Sequence, residues 1–265
     1  MTAHEKSVLA AFLDTVQDSL FTGCRTAREN ADFTDDADGA DEAAGLPLKT
    51  EEGAGVATGE TIEQIAAEIA ACGKCGLCER RKNTVPGEGP PHPQVIVVGE
   101  APGAEEDAQG RPFVGPAGQL LDKMLASIGL SRQTNCFIAN ILKCRPPNNR
   151  DPEPDERAAC IHFLERQIGL LQPQAILCAG RVAAQTLLQT TAPMASLRNG
   201  KRWDYSLRKD GKETVLPLFA TYHPSALLRN EEWKRPAWED LKAFREFLNA
   251  SPHHLPWRRN GSGVI

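Results

Sequence analysis

Val95-Ile96-Val97-Val98-Gly99 is the stretch on which the fold turns. Four successive β-branched residues cannot alternate between core and solvent, so the strand they form is covered on both faces, as in a parallel sheet flanked by helices. Downstream, residues 117–129 place Leu120, Leu121, Met124, Leu125 and Ile128 on one helical face. Phe137-Ile138-Ala139 begins a second strand, and residues 153–168 read as a helix with Pro154 tolerated in its first turn. Ala175 to Ala179 is a third strand, Val182 to Leu188 a helix, Val215 to Tyr222 a fourth strand, and residues 236–248 a closing helix. Upstream, Thr61 and Gln64 have capping-box spacing before the apolar face Ile62, Ile65, Ala66, Ile69. The alternation predicts an α/β fold, a three-layer α/β/α sandwich with a central, mainly parallel four-stranded sheet. Ligands of such sheets bind beyond the carboxyl ends of strands, which singles out Glu100, Asn140 and His223.

The chain has 265 residues, 41% hydrophobic and 25% charged, enough for one sizeable core plus an appendage. No stretch of about 18 uncharged apolar residues occurs, so no membrane span or membrane partner is expected. The N-terminus lacks a basic region followed by an apolar run, so a cytoplasmic protein of the bacterial cytosol or nucleoid is expected. The net charge of -5 hides a division. Residues 29–60 sum to -9 and residues 1–28 to zero, which leaves +4 on residues 61–265. The main body therefore leans weakly toward a nucleic-acid partner. Residues 1–24 read as an amphipathic helix built on Val8, Leu9, Phe12, Leu13, Val16 and Leu20, free to dock on the body or on a protein partner. Residues 25–60 read as an acidic disordered linker, 61–250 as the main domain, and 251–265 as a solvated tail. No internal repeat is present.

Eight cysteines in a reducing compartment favour metal ligation over disulfides. Cys136 and Cys178 lie on or beside strands and read as buried structural thiols, while Cys24 sits near the linker. Cys72-x-x-Cys75-x-x-Cys78 offers a thiolate pair from one turn, and Cys144 with Cys160 a second pair. Spacing alone admits zinc on four cysteines or an iron–sulfur cluster. Gly99-Glu100-Ala101-Pro102-Gly103 follows a strand but matches neither a dinucleotide fingerprint nor a P-loop, so no nucleotide cofactor is indicated.

Four ordered motifs carry a resemblance. Gly99-Glu100-Ala101-Pro102-Gly103-Ala104-Glu105-Glu106-Asp107, with Gly110-Arg111-Pro112-Phe113-Val114-Gly115 and Ala117-Gly118-Gln119-Leu120-Leu121, resembles the first motif of the iron–sulfur (family 4) uracil-DNA glycosylases. Asn140-Ile141-Leu142-Lys143-Cys144-Arg145-Pro146-Pro147-Asn148-Asn149-Arg150 is similar to the family's central segment, and Tyr222-His223-Pro224-Ser225-Ala226-Leu227-Leu228-Arg229-Asn230 to its last motif. Cys72-x-x-Cys75-x-Leu77 and Gly87-Glu88-Gly89 also fit. The resemblance spans about residues 65–248 and leaves residues 1–60 unmatched.

It implies a [4Fe-4S] cluster on Cys72, Cys75, Cys144 and Cys160, with Cys78 as competitor for the first pair. It implies hydrolysis of the bond between uracil and deoxyribose in DNA, single- or double-stranded, by a monomer that takes the base out of the stack. Phe113 matches the stacking aromatic, Asn140 the amide that reads the uracil edge, and His223 the donor to a uracil carbonyl as negative charge grows there. Cytosine presents the reversed donor and acceptor pattern and is refused. Glu100 and Glu106 match the carboxylates that steady the cation-like sugar or position water. Ala101 stands where other uracil glycosylase classes carry a polar residue. Leu227, Leu228 and Arg229 match the loop entering DNA where the base departs, as an apolar wedge beside a phosphate-binding cation. Lys143, Arg145 and Arg150 suit phosphates, as could Trp257-Arg258-Arg259. Two alternatives stand beside this: a non-catalytic zinc-bearing nucleic-acid binder, and a relative that traps uracil-DNA covalently through a histidine-bearing insert. The second is disfavoured, because no histidine lies between Cys144 and Cys160.

Overall fold

A computed structural model of the chain describes residues 59–209 and 211–250. The expected N-terminal helix, nearly all of the acidic linker and the C-terminal tail lie outside the described residues. The main elements run α1 (Ile62–Ala71), β1 (Val95–Gly99), α2 (Ala104–Gln109), α3 (Pro116–Ala126), β2 (Cys136–Asn140), α4 (Pro154–Leu171), β3 (Ala175–Ala179), α5 (Arg181–Leu188), α6 (Met194–Leu197), β4 (Trp203–Lys209), β5 (Lys212–Thr221), α7 (Pro224–Arg229) and α8 (Lys234–Ala250).

The sheet order is β2-β1-β3-β5-β4. All residues of β1, β2 and β3 are buried, as continuous apolar runs require. The pleat divides them between two cores. Val95 and Val97 join Leu121 of α3 and Leu241 of α8, while Ile96 and Val98 join Ile65 of α1, Leu164 of α4 and Ala183 of α5. Three layers result, as expected.

The strand number is corrected: the sheet has five strands, not four. β2, β1, β3 and β5 are parallel, and β4 is an added antiparallel edge paired with β5 from Trp203↔Leu218 to Lys209↔Lys212. Its half-buried character explains the difference. Tyr205 and Leu207 are buried while Asp204, Ser206 and Arg208 are exposed, so no continuous apolar run announces it. At the opposite edge Glu88 forms an antiparallel bridge to Ile138. Its flanks must be glycine: Gly87 and Gly89 have φ of 128° and 158°, and a Cβ on Gly89 would fall 2.5 Å from the Phe137 Cα.

The capping box at Thr61 is present, with the Thr61 N–H donating to Gln64 Oε1 at 2.8 Å and the Gln64 N–H to Thr61 Oγ1 at 3.2 Å. Arg166 of α4 pairs with Glu60, just before the cap, as well as with Glu68 of α1. β1 lies between β2 and β3, so the chain reverses its direction of travel across the sheet there. In sheets of this kind ligands bind at such a reversal, beyond the carboxyl ends of the strands.

Candidate active site and cysteine centre

Gly99 closes β1 and Asn140 closes β2, paired in register. His223 follows β5 as the N-cap of α7, and Gly180 follows β3. The end of β5 is tied down by the buried Asp240 of α8, which accepts from Thr221 Oγ1 at 3.0 Å, Arg198 Nε at 3.0 Å and the Asn199 N–H at 2.9 Å. A Cβ on Gly99 would stand 2.4 Å from Asn140 Oδ1 and 2.5 Å from Phe113 Cζ, so both side chains converge on the bare glycine. The Phe113 and His223 rings have centroids 5.6 Å apart, tilted by 33°. Gly180 performs the same service for the histidine, since a Cβ there would approach His223 Cβ to 2.9 Å. Phe113, Asn140 and His223 are thus brought together.

Asn140 is 1% exposed, and its Oδ1 has no hydrogen-bond partner. A buried carbonyl oxygen left unpaired costs about 1–3 kcal/mol, so such an atom calls for an explanation.

Phe113 has φ of 51°, the left-handed region, which costs a bulky residue roughly 1–3 kcal/mol. Its surroundings impose that conformation. Glu106 accepts from the Val114 and Gly115 N–H groups at 2.9 and 3.0 Å through Oε1, and from the Gly103 N–H at 3.1 Å through Oε2. The buried Arg132 donates to the carbonyls of Pro112 and Phe113, both at 2.8 Å. Gly118 packs so close that a Cβ would fall 2.0 Å from the Phe113 carbonyl. The sequence carries no motif for Arg132, which sits in the turn before β2. Glu100 and Ala101 follow Gly99 directly and are half-buried, Ala101 packing on the core that holds Cys144 and Cys160.

Ser225, which lies within the last motif but was given no role from the sequence, fixes the histidine. Its backbone N–H donates to His223 Nδ1 at 3.2 Å, and its Oγ lies 2.8 Å from the same nitrogen. A backbone N–H can only donate, so Nδ1 is the acceptor and the neutral ring carries its proton on Nε2. Burial pushes the His223 pKa down to about 4, Arg229 adds to the shift and Glu106 opposes it.

Two residues expected at the DNA, Lys143 and Leu227, are buried. Lys143 is 1% exposed, with Nζ donating to the Asn140 carbonyl at 3.0 Å and to Gln167 Oε1 at 2.8 Å, so it braces the strand end and does not face solvent. Burial pushes its pKa down to about 8. Leu227 is 0% exposed and packs in the core beneath α7. Leu228 is half-buried and Arg229 exposed on the same short helix. Arg145 is half-buried and donates to Asn149 Oδ1 at 2.8 Å, and Arg150 is engaged with Glu156.

Cys72, Cys75, Cys78, Cys144 and Cys160 line one hollow, together with Leu77, Arg81 and Phe163. Among the described residues, no three His, Cys, Asp or Glu side chains close on a point that would hold a single metal ion. Cys72 and Cys75 pack against the core that includes Cys144 and Cys160. Arg81 Nη1 donates to Cys144 Sγ at 3.3 Å, and the Lys143 backbone N–H to Cys160 Sγ at 3.3 Å. Soft sulfur donors from separate segments, two of them already receiving N–H groups, fit a thiolate-held iron–sulfur cluster. Cys136 and Cys178 are fully buried in strands, and burial raises both thiols, Cys136 to about 12, as befits inert structural cysteines.

The family model described as "Uracil DNA glycosylase superfamily" matches residues 86–242. The chain is 43% identical over 189 residues to a type-4 uracil-DNA glycosylase of Sulfurisphaera tokodaii, covering 71% of this chain and 84% of that protein. It is 42% identical over 188 residues to one from Archaeoglobus fulgidus, covering 71% and 93%. It is 39% identical over 191 residues to one from Thermotoga maritima, covering 71% and 95%. With its strand-end residues gathered around Gly99 and its cysteines around one hollow, the chain belongs to the family-4 uracil-DNA glycosylases within the uracil-DNA glycosylase superfamily.

Proposed function

We propose that this protein excises uracil from DNA, hydrolysing the N-glycosidic bond of an extruded deoxyuridine to leave an abasic site in base-excision repair. The observation that carries the proposal is the buried, unpartnered Oδ1 of Asn140 beside the Phe113 ring. Uracil supplies what that atom lacks. Its imide N–H donates to Oδ1, while the Asn140 amino group donates to the neighbouring carbonyl. Cytosine has no proton on that nitrogen and would leave the amide unmet, a loss worth several powers of ten in selectivity.

Phe113 stacks on the base. His223 donates from Nε2 to the other uracil carbonyl as the glycosidic bond breaks and negative charge gathers there. A neutral imidazole serves, because it is already oriented by Ser225 and needs no reorganisation. The sugar becomes cation-like, and a nearby carboxylate favours it. Three backbone N–H groups occupy the Glu106 carboxylate, so we assign Glu106 to holding the loop and Glu100 to the electrostatic and water-positioning part. Ala101 adds only a methyl beside that water. Leu228 fills the gap left by the base, while Arg229 and Arg145 meet phosphates.

Cys72, Cys75, Cys144 and Cys160 would hold the [4Fe-4S] cluster, whose chemistry here is a structural cross-link between α1 and the segment from Cys144 to α4, hydrolysis requiring no electron transfer. Lys143 and Arg81 make their bonds to this sulfur set from the protein side. The test is incubation with a uracil-containing oligonucleotide followed by alkaline cleavage. Strand scission at the uracil position supports the proposal, and an intact strand with a well-folded, iron-loaded protein rejects it.

A further inference from the structure

We propose that Arg132 is a positioning residue for base recognition: its buried guanidinium holds Phe113 in the left-handed conformation that brings the ring over Gly99. The inference rests on Phe113 being the stacking ring and extends it to a residue at the opposite side of the loop. Two successive carbonyls point in opposite directions in extended chain. They reach a single guanidinium only when the residue between them leaves that conformation. Phe113 does so, at φ of 51°, and Arg132 donates from Nη1 to the Pro112 carbonyl and from Nη2 to the Phe113 carbonyl, both at 2.8 Å.

The fork is itself held. Its Nε donates to Asp122 Oδ1 at 2.9 Å, Nη2 lies 2.8 Å from the same carboxylate, and Glu88 stands 3.8 Å away. Arg132 is 5% exposed, so its charge faces these two carboxylates and not a DNA phosphate. Glu106 grips the two amides that follow Phe113, leaving the preceding carbonyl and Phe113's own to Arg132. A lysine presents a point charge in place of a planar fork and cannot span both carbonyls in one geometry.

The experiment is a double-mutant cycle with R132K, F113A and the double variant, read by single-turnover uracil excision, inhibition by free uracil, affinity for abasic-site duplex, and melting temperature. R132K is expected to weaken both excision and uracil inhibition about 10-fold or more, to leave abasic-DNA affinity unchanged, and to add nothing in the F113A background. A loss that multiplies with that of F113A overturns the proposal, as does an R132K protein with unaltered excision and uracil inhibition. If R132K does not fold, D122A removes the acceptor that anchors the fork while keeping both carbonyl contacts. It is then expected to give a smaller loss of the same kind, again absent in the F113A background, and normal uracil inhibition in D122A overturns the proposal. Normal excision by F113A alone would instead reject the stacking role itself.

Discussion

The Ser225 backbone N–H donates to His223 Nδ1 across 3.2 Å, which leaves Nε2 as the protonated nitrogen of the neutral ring. With its pKa pushed down to about 4, the imidazole stays neutral throughout the physiological range. Excision is therefore expected to show no acid limb near the ordinary histidine value of about 6.5 and to lose His223-dependent rate only near pH 4. H223A should cost about 10²–10³ in rate while retaining iron. A pH–rate profile that falls through 6.5, with the fall abolished in H223A, would contradict a neutral donor.

The same shift bears on stability. His223 and His162 both have pKa values lowered to about 4, His162 by burial first and then by Lys74 and Arg166. In the unfolded chain they bind protons near pH 6.5. Between those values the unfolded state holds more protons, so stability falls as pH drops from about 6.5 toward 4 and is flat with respect to these groups above it. Chemical denaturation across that window should show the fall, and H223Q and H162Q should each flatten part of it. An unchanged slope in both variants would mean that neither ring is held neutral.

Gly99 lies where Asn140 Oδ1 and Phe113 Cζ converge, 2.4 and 2.5 Å from the place a Cβ would take. G99A must displace one or both. Crowding a packed core costs about 1–3 kcal/mol, which leaves a foldable protein, and a shift of roughly 1 Å in the reading groups costs about 10²-fold in rate. Melting and excision of the same preparation separate the two effects. Full activity in G99A would show that these side chains do not need their observed places.

Much of this was legible in advance, for identifiable reasons. β1 and β3 announce themselves because strands covered on both faces need unbroken apolar runs, and the strand-end rule then indicates Glu100, Asn140 and His223. β4 was less legible because an edge strand buries one face. Its signals were the alternation Trp203, Tyr205, Leu207 and the Asp210-Gly211 dipeptide between two strands, with Gly211 at φ of 72°. Lys143 and Leu227 could not be placed from their motifs, since a phosphate-binding lysine and a buried brace have the same letters around them. Arg132 depends on a contact across about twenty residues of chain, which no local pattern encodes.

The burial of Lys143 separates it from Arg145 by experiment. K143M is expected to lose about 1–3 kcal/mol of stability, because the Asn140 carbonyl and Gln167 Oε1 lose their donor. It should not alter the salt dependence of binding to uncleavable uracil-DNA. R145A should reduce that slope by about 1 with little change in melting temperature. A reduced slope in K143M would place its ammonium on the DNA.

The cysteines are separable by iron content. C72A, C75A, C144A and C160A are each expected to lose most iron and sulfide and to melt at lower temperature, while C78A keeps both. Loss of iron in C78A with retention in C72A would move the first ligand. Full thermal stability in an iron-free variant would contradict the structural cross-link.

The central claim is that Asn140 reads uracil through a carbonyl oxygen that is otherwise without a partner. The most direct measurement is single-turnover release of uracil by N140A beside the unaltered protein, at matched iron content and folded fraction. The account predicts a fall of at least about 10²-fold in N140A, with abasic-DNA affinity retained. Equal release by the two proteins would contradict it.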